Sequence, residues 1–480
     1  MSKFGKSVFY TVIGRYSNFI INLIINIVLA RLLTPKDFGI FALLQIFTGL
    51  FLLISNSGLS VAITRSKELT KKDINSLFTF SIILSFCVFV VLIISGAFIS
   101  LIMHMKIYLI LSFFIGLSIF FLGSSSVPSA VVSKNLDFKY SAKVSIYMIS
   151  INGLVSIPLA FYHFGVYALA FGTLLSAFSN FFLLYLHSKV HLGKLRMEPI
   201  NKMKNFALNM LGVSIINYIS NNMDNFLVAT FFGTISLANY SKSYQLMKYP
   251  QSLIGGALNI TIVPVLNDKT DDKRYILNFF KKLSIISSWS GFIITVFFYI
   301  NSESIIFLLF GNQWEGAVEP FKYLSIAVGF QLLQMMVNPM FEVINKPNLL
   351  MKVSAITMSI MFLFMGVGIF SKSLTIFSIL ISCGNIIKYF VILIVFYHCG
   401  MNISIKKSLS YLKKIILLPL ISSIFLGIIS NYLTQLFKVL ISNGIYLTFI
   451  NAIFYLVLSL IVLWLFKVYK YLDIFRTDIL

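Results

Sequence analysis

Apolar residues run along this chain in windows of about twenty, each long enough to carry a helix across roughly 30 Å of hydrocarbon, with short polar breaks between them. The windows follow one another from Val8 to the end of the sequence. Their centres lie near residues 20, 50, 90, 119, 151, 176, 217, 251, 289, 331, 361, 386, 423 and 455, which predicts an all-α polytopic membrane protein of about fourteen transmembrane helices. One window departs from uniform apolarity. In RYSNFIINLIINIVLARLLTP, from Arg15 to Pro35, the residues Arg15, Asn18, Asn22 and Asn26 recur at intervals of three or four and so share one face of a helix. A lone amide or charge is costly in hydrocarbon, so such a face is expected to turn toward protein or toward a hydrated cavity.

The stripe is repeated. Sliding the chain against itself until Asn18 falls on Asn217 also sets Asn22 on Asn221, Asn26 on Asn225 and Ala30 on Ala229. The same register lays SGLSVAI, from Ser57, over GALNITI, from Gly256, without a gap. Six spans separate the copies, so both enter the membrane in the same direction, as parallel repeats related by an axis along the bilayer normal do. The predicted organisation is an N-lobe of six spans over residues 1–190 and a cytoplasmic inter-lobe loop over 191–204. A C-lobe of six spans over 205–400 and a C-terminal helix pair over 401–480 complete it. The seventh span carries Ser214, Asn217, Asn221 and Asn225, with Asp224 beside them. A single asparagine serves well enough as glue between helices, at ~0.6 kcal/mol on average. Two matching stripes point instead to a hydrated chamber between two six-helix lobes.

Composition supports the membrane reading, since 58% of the 480 residues are hydrophobic and only 11% are charged. The net charge of +23 raises nucleic acid as a partner, and the placement of the basic residues removes it. With the N-terminus in the cytoplasm, one side receives Lys3 and Lys6; Arg65, Lys67, Lys71 and Lys72; Lys134, Lys139 and Lys143; and the run from Lys189 to Lys204. It also receives Lys269, Lys273, Arg274, Lys281 and Lys282; Lys346 and Lys352; Lys406, Lys407, Lys413 and Lys414; and Lys467, Lys470 and Arg476. The other side receives Arg31, Lys36, Lys106, Lys372 and Lys438. By the positive-inside rule both termini are cytoplasmic, and the excess charge is orientation signal and contact with anionic lipid heads. The basic N-terminal start leads into an apolar run too long for a signal peptide, with no small-residue cleavage site, so it reads as an uncleaved first span. Cys87, Cys383 and Cys399 each stand alone in apolar sequence and read as packing residues, neither disulfide partners nor metal ligands.

Some charge remains inside the spans: Arg15, Lys242, Lys248, Lys322 and Lys388, against Asp224 as the acid. The interior is therefore expected to be cationic. Lys248 precedes Pro250 and the pair Gly255-Gly256, a combination that loosens helices at depth. Lys242 and Lys322 lie nearer helix ends, where a long side chain can snorkel to the interface. Arginine forks onto phosphate oxygens and lysine supplies a point charge, so a cationic chamber suits a phosphate-bearing substrate, with Arg15, Lys248, Lys388 and Lys242 as its candidate binding residues. The amides and Ser214 would line the cavity. Asp224 is a candidate for pairing with a nearby cation or for coupling to a proton or sodium gradient. No P-loop, HExxH or GxSxG motif is present, so no catalytic residue, metal or cofactor is expected. FGNQWEGAVEP, from Phe310 to Pro320, reads as a short re-entrant or interfacial stretch with Trp314 anchored at the headgroups.

From Ala30 to Arg65, ARLLTPKDFGIFALLQIFTGLFLLISNSGLSVAITR strongly resembles bacterial polysaccharide transporters, the Wzx-type O-antigen and teichuronic-acid exporters. SKNLDFKYSAKV from Ser133, NMDNFLVATFFGTISLANYSKSYQLMKYP from Asn222 and GNQWEGAVEPFKYLSI from Gly311 are similar to the same family, so the resemblance covers about residues 8 to 400. It implies a flippase of the multidrug/oligosaccharidyl-lipid/polysaccharide superfamily with a MATE-like fold. The substrate it implies is an undecaprenyl-diphosphate-linked oligosaccharide carried across the bacterial cytoplasmic membrane. A polysaccharide polymerase and chain-length machinery are the implied partners. Three other functions compete: a peptidoglycan lipid-precursor flippase, a multidrug exporter of the same superfamily, and a membrane glycan polymerase or ligase. A multidrug exporter is expected to have twelve spans and an acidic chamber. A polymerase needs a sizeable outward loop with catalytic residues, and the sequence has no loop of that kind.

Overall fold

In a computed structural model of the chain, residues 3–56, 59–66, 69–102, 106–267, 272–438, 444–466 and 468 are described, and helix is the regular structure throughout them. Ser57, Gly58, Lys67, Lys269, Lys467, Lys470 and Arg476, which entered the repeat and the orientation argument, lie outside these residues. The chain divides into two compact units, Met1–Ala229 and Thr230–Leu480.

The first unit contains α1 (Lys3–Leu32), α2 (Pro35–Asn56), α3 (Leu59–Arg65), α4 (Lys71–Ile102), α5 (Ile107–Ser124), α6 (Ser126–Lys134), α7 (Phe138–Phe161), α8 (Val166–Ser188) and all but the end of α9 (Met197–Phe232). Two starts are fixed by the same local chemistry. Thr34 and Asp37 bond reciprocally at the head of α2, the carboxylate accepting from the Thr34 N–H at 3.1 Å and the threonine hydroxyl accepting from the Asp37 N–H at 3.3 Å. Thr70 and Asp73 repeat this at α4, at 3.1 and 3.3 Å. Each pair satisfies amide donors that a helix start leaves orphaned and puts a negative charge on its positive end. α4 packs on α5, α7 on α8, and α1 on α7. Ile25, Leu29, Phe41, Leu111 and Leu169 build the core between them. The segment between α8 and α9 is stitched onto α4: the Arg196 N–H donates to the Ser76 hydroxyl at 2.8 Å and the Thr79 hydroxyl to the Gly193 carbonyl at 2.9 Å.

The second unit contains α10 (Thr234–Asn267), α11 (Lys273–Ile300), α12 (Ser302–Phe310), a 3-10 turn (Asn312–Ala317), α13 (Val318–Ser325), α14 (Val328–Val343), α15 (Pro347–Phe370), α16 (Leu374–Val395), α17 (Ile405–Leu412), α18 (Leu418–Lys438) and α19 (Gly444–Leu465). α14 is packed by α10, α11 and α16 around Phe280, Met336, Phe341, Tyr389 and Phe396. The Asn451 amide donates to the Asn301 side-chain oxygen at 2.8 Å and the Tyr455 hydroxyl to the Ile293 carbonyl at 3.0 Å, which holds α19 to α11.

Among the described residues ten helices are long and apolar enough to cross a membrane, or eleven when the pair Asn312–Ser325 and Val328–Val343, bent by 51°, counts as one. The remaining predicted centres fall in α9 and α10, which are long but more polar, and in α19. Large apolar side chains such as Phe370, 88% exposed, cover outward faces, as contact with acyl chains allows.

Three expectations are corrected. α10 runs as unbroken helix through Pro250 and Gly255-Gly256, so the chain does not loosen there. Trp314 is fully buried, its ring 5.9 Å from that of Phe310, because the 3-10 turn folds it inward and leaves no indole for the headgroups. Cys87 and Cys399 are exposed and so do not pack a core; Cys383 is half-buried.

Candidate functional site

In the first unit the stripe of α1 is laid out as the periodicity predicts, on a single continuous helix. Arg15 and Asn22 are exposed, while Asn18 and Asn26 are half-buried. Asn26 donates to the Asn22 carbonyl at 3.0 Å and to the Asn22 side-chain oxygen. The Asn18 side-chain oxygen is buried with no hydrogen-bond partner. These amides therefore hold acceptor capacity that the helix does not use.

The related stripe on α9 is divided by packing. Asn217 and Asn221 are exposed, Ser214 and Asn225 are half-buried, and Asp224 is buried at 3% exposure with its carboxylate accepting the Asn225 N–H at 2.9 Å. The Asn225 side-chain oxygen has no hydrogen-bond partner. Tyr218, which the polar pattern passes over, anchors this face: its hydroxyl donates to the Ile46 carbonyl of α2 at 2.7 Å. Gly49 on α2 makes that approach possible, since a Cβ there would collide with the Tyr218 ring and hydroxyl. About two turns beyond Tyr218, Phe226 packs edge-on to Phe47 with centroids 6.5 Å apart, so α9 is clamped to α2 at two points.

In the second unit the cations separate into two groups. Lys248 on α10 is half-buried with its ammonium 4.2 Å from the centre of the Tyr244 ring. Lys388 on α16 is half-buried and close enough for the Lys248 charge to act on it. Among the described residues Lys388 makes no salt bridge. One turn on from Lys248, Gln251 donates to Gln331 of α14 at 2.7 Å. Asn385, one turn before Lys388, is buried with its amide donating to the Ile381 carbonyl at 2.9 Å. Tyr244, Lys248 and Gln251 stand at i, i+4 and i+7, a spacing that marks one polar face of α10 and makes the tyrosine and glutamine findable from sequence. Gln331 carries no comparable signal, because only packing brings α14 against that face.

Lys242 belongs to the other group. It is only 4% exposed, with its ammonium 5.3 Å from the Phe310 ring and 5.8 Å from Trp314. Enclosure by aromatic rings withdraws it from any diphosphate, and the expectation that it could snorkel also falls. Lys322 is half-buried with its ammonium 5.2 Å from the Tyr299 ring. Two like charges within reach of one another, each half-buried beside a side-chain amide, can attract a multivalent anion.

Residues 28–319 match a family described as polysaccharide biosynthesis protein. The chain belongs to that family. The motif resemblance noted from Ala30 onward is thereby shown for more than half of the sequence, and it places the chain among the Wzx-type transporters of the multidrug/oligosaccharidyl-lipid/polysaccharide superfamily. An uncharacterized membrane protein in the cps region of Klebsiella pneumoniae is 26% identical over 375 residues, 76% of this chain and 74% of that protein. The succinoglycan biosynthesis transport protein ExoT of Rhizobium meliloti is 19% identical over 336 residues, 68% of this chain and 66% of its own length. In fold the chain is similar to lipid II flippase MurJ in an inward closed conformation, with a TM-score of 0.73 and 13% identity over 98% of this chain and 99% of that one. The family is one of transporters, and this member is a multi-pass protein of the bacterial cytoplasmic membrane.

Proposed function

We propose that the protein flips undecaprenyl-diphosphate-linked oligosaccharide repeat units from the cytoplasmic to the outer leaflet for surface polysaccharide of the O-antigen or capsule type, by alternating access. The observation that carries this reading is that Lys248 on α10 and Lys388 on α16, both half-buried, are near enough for the charge of one to act on the other, within a chain of the polysaccharide biosynthesis family. A sugar hydroxyl moved into hydrocarbon without a partner costs roughly 2–7 kcal/mol, so an oligosaccharide cannot cross unaided. The polyprenyl tail is at home in lipid throughout, so the protein needs to shield only the head. Lys248 and Lys388 neutralise the diphosphate. Asn18, Asn22, Asn217, Asn221 and Asn225 supply acceptors and donors to the glycan. Asp224, buried and carboxylate-bearing, is the residue through which a proton or sodium ion would couple; transport into vesicles that ignores both gradients would remove that role.

The test is replacement of Lys248 and Lys388 by alanine, singly and together, with surface polysaccharide and lipid-linked intermediates measured at matched protein level. The expected outcome is loss of surface polysaccharide with lipid-linked units retained on the cytoplasmic face. Export equal to the parent would overturn the assignment. The likeness of fold to lipid II flippase MurJ favours one rival, a peptidoglycan-precursor flippase. Deleting the gene separates the two, because loss of surface polysaccharide with cell-wall synthesis intact supports the polysaccharide substrate.

A further inference from the structure

The first unit contains a cavity of about 380 Å³ to which, among the described residues, the polar stripes contribute Ser214 alone. Its polar lining comes from Asn56, Ser60, Ser125, Ser126, Ser129 and Ser214, and aliphatic side chains complete it. No charged side chain lines it among the described residues. The serines gather where the path from α5 to α6 tightens at Ser125. That residue is held, its hydroxyl donating to the Leu122 carbonyl at 2.6 Å and accepting from the Asn180 amide at 3.2 Å. Ser126 is not. It is 4% exposed, lines the cavity, and its hydroxyl has no hydrogen-bond partner. A buried hydroxyl normally finds a partner, so an orphan on a cavity wall marks a place where something else supplies one.

We propose that this cavity is a sugar subsite, which takes one uncharged, hydroxyl-rich ring of the carried head group. The assignment rests on the function proposed above and adds a place where the glycan is recognised apart from the diphosphate. The chemistry selects that class of ligand. A lining without charge offers nothing to a phosphate or a metal ion, while hydroxyls and an amide can both donate to and accept from a sugar's hydroxyls. Aliphatic walls suit the C–H faces of the ring. The volume falls within the roughly 300–1,000 Å³ range of small-molecule sites.

The full-length protein in detergent, incubated with equal amounts of undecaprenyl diphosphate and of the same lipid bearing a single hexose, tests this by native mass spectrometry. The parent is expected to favour the glycosylated lipid about tenfold, since a few neutral hydrogen bonds amount to one decade in affinity. Ser126→Leu, which fills the cavity, should bring the ratio near one. Ser126→Ala should narrow it about threefold and leave the melting temperature unlowered, because the hydroxyl it removes bonds to nothing in the protein. A parent that binds both lipids equally, or Ser126→Leu and Ser126→Ala proteins that keep the full preference, would overturn the subsite and leave the functional proposal standing. A fall in melting temperature for Ser126→Ala would also overturn it, by showing a structural role. A parent that binds neither lipid would sink the functional proposal itself. Should Ser126→Leu fail to fold, Ser126→Ala and Asn56→Ala decide in the same way.

Discussion

At the scale of single residues, polar groups in this chain have meaning only with their neighbours. Tyr218 is an ordinary aromatic in the sequence, yet its hydroxyl reaches the Ile46 carbonyl because Gly49 has no side chain to block the ring. Two substitutions follow from that geometry. Tyr218→Phe forfeits one hydrogen bond and is expected to cost about 0.5–1.5 kcal/mol. Gly49→Ala forces α2 and α9 apart and is expected to cost about 1–3 kcal/mol, as overpacking does. Thermal unfolding in detergent measures both, and Gly49→Ala in a Tyr218→Ala background should recover most of the loss. The same dependence on neighbours separates the lysines. Lys242 and Lys248 look alike in sequence, six residues apart on α10, but Phe310 and Trp314 enclose the first while the charge of the second acts on Lys388. Lys388→Met should therefore lower glycan export, whereas loss of Lys242 acts on folding and shows first as reduced protein in the membrane.

At the scale of elements, the helices were legible wherever one local rule governed them. TPKD and TKKD state the starts of α2 and α4 in four letters, since threonine and aspartate three apart can satisfy the first amides whatever the rest of the chain does. Asp37→Ala or Asp73→Ala should each cost about 0.5–2 kcal/mol, read as earlier unfolding of the corresponding segment. The interruptions were less legible. Pro250 and two glycines suggested a loosening of α10 that is absent, and the chain is interrupted instead around the 3-10 turn at Asn312–Ala317. A proline in a helix costs one hydrogen bond and a clash, and packing on both sides can absorb that cost without bending the axis. The attachment of α19 likewise depends on a pairing that no periodicity announces. Asn451→Ala removes the amide bond to Asn301 and should raise hydrogen exchange in α19 selectively, for about 1 kcal/mol of local stability.

At the scale of the whole molecule, the distribution of basic residues predicts its orientation in the membrane. Reporter fusions are expected to place both termini in the cytoplasm; a C-terminal reporter active on the outer side would reverse the topology. With that orientation an inside-negative potential favours outward movement of an anionic head by ~2.3 kcal/mol per charge per 100 mV. In vesicles, collapsing the potential should slow translocation of the diphosphate-linked substrate even where no ion gradient is imposed.

The sequence by itself determined that this chain lives in a membrane, that it is helical, that it carries a repeated polar stripe, and which family it belongs to. Each of these is written in short-range periodicity, in composition or in contiguous motifs, and none depends on how distant segments meet. Tertiary structure alone decided that Trp314 and Lys242 are sealed in a core, that the Lys248 charge reaches Lys388, and that serines of α3, α6 and α9 line one cavity with an orphaned hydroxyl among them. Those side chains lie far apart along the chain. The free energy that joins them belongs to packing between helices, where the side-chain volume of a glycine or a phenylalanine on one element decides what a charge or a hydroxyl on another can reach.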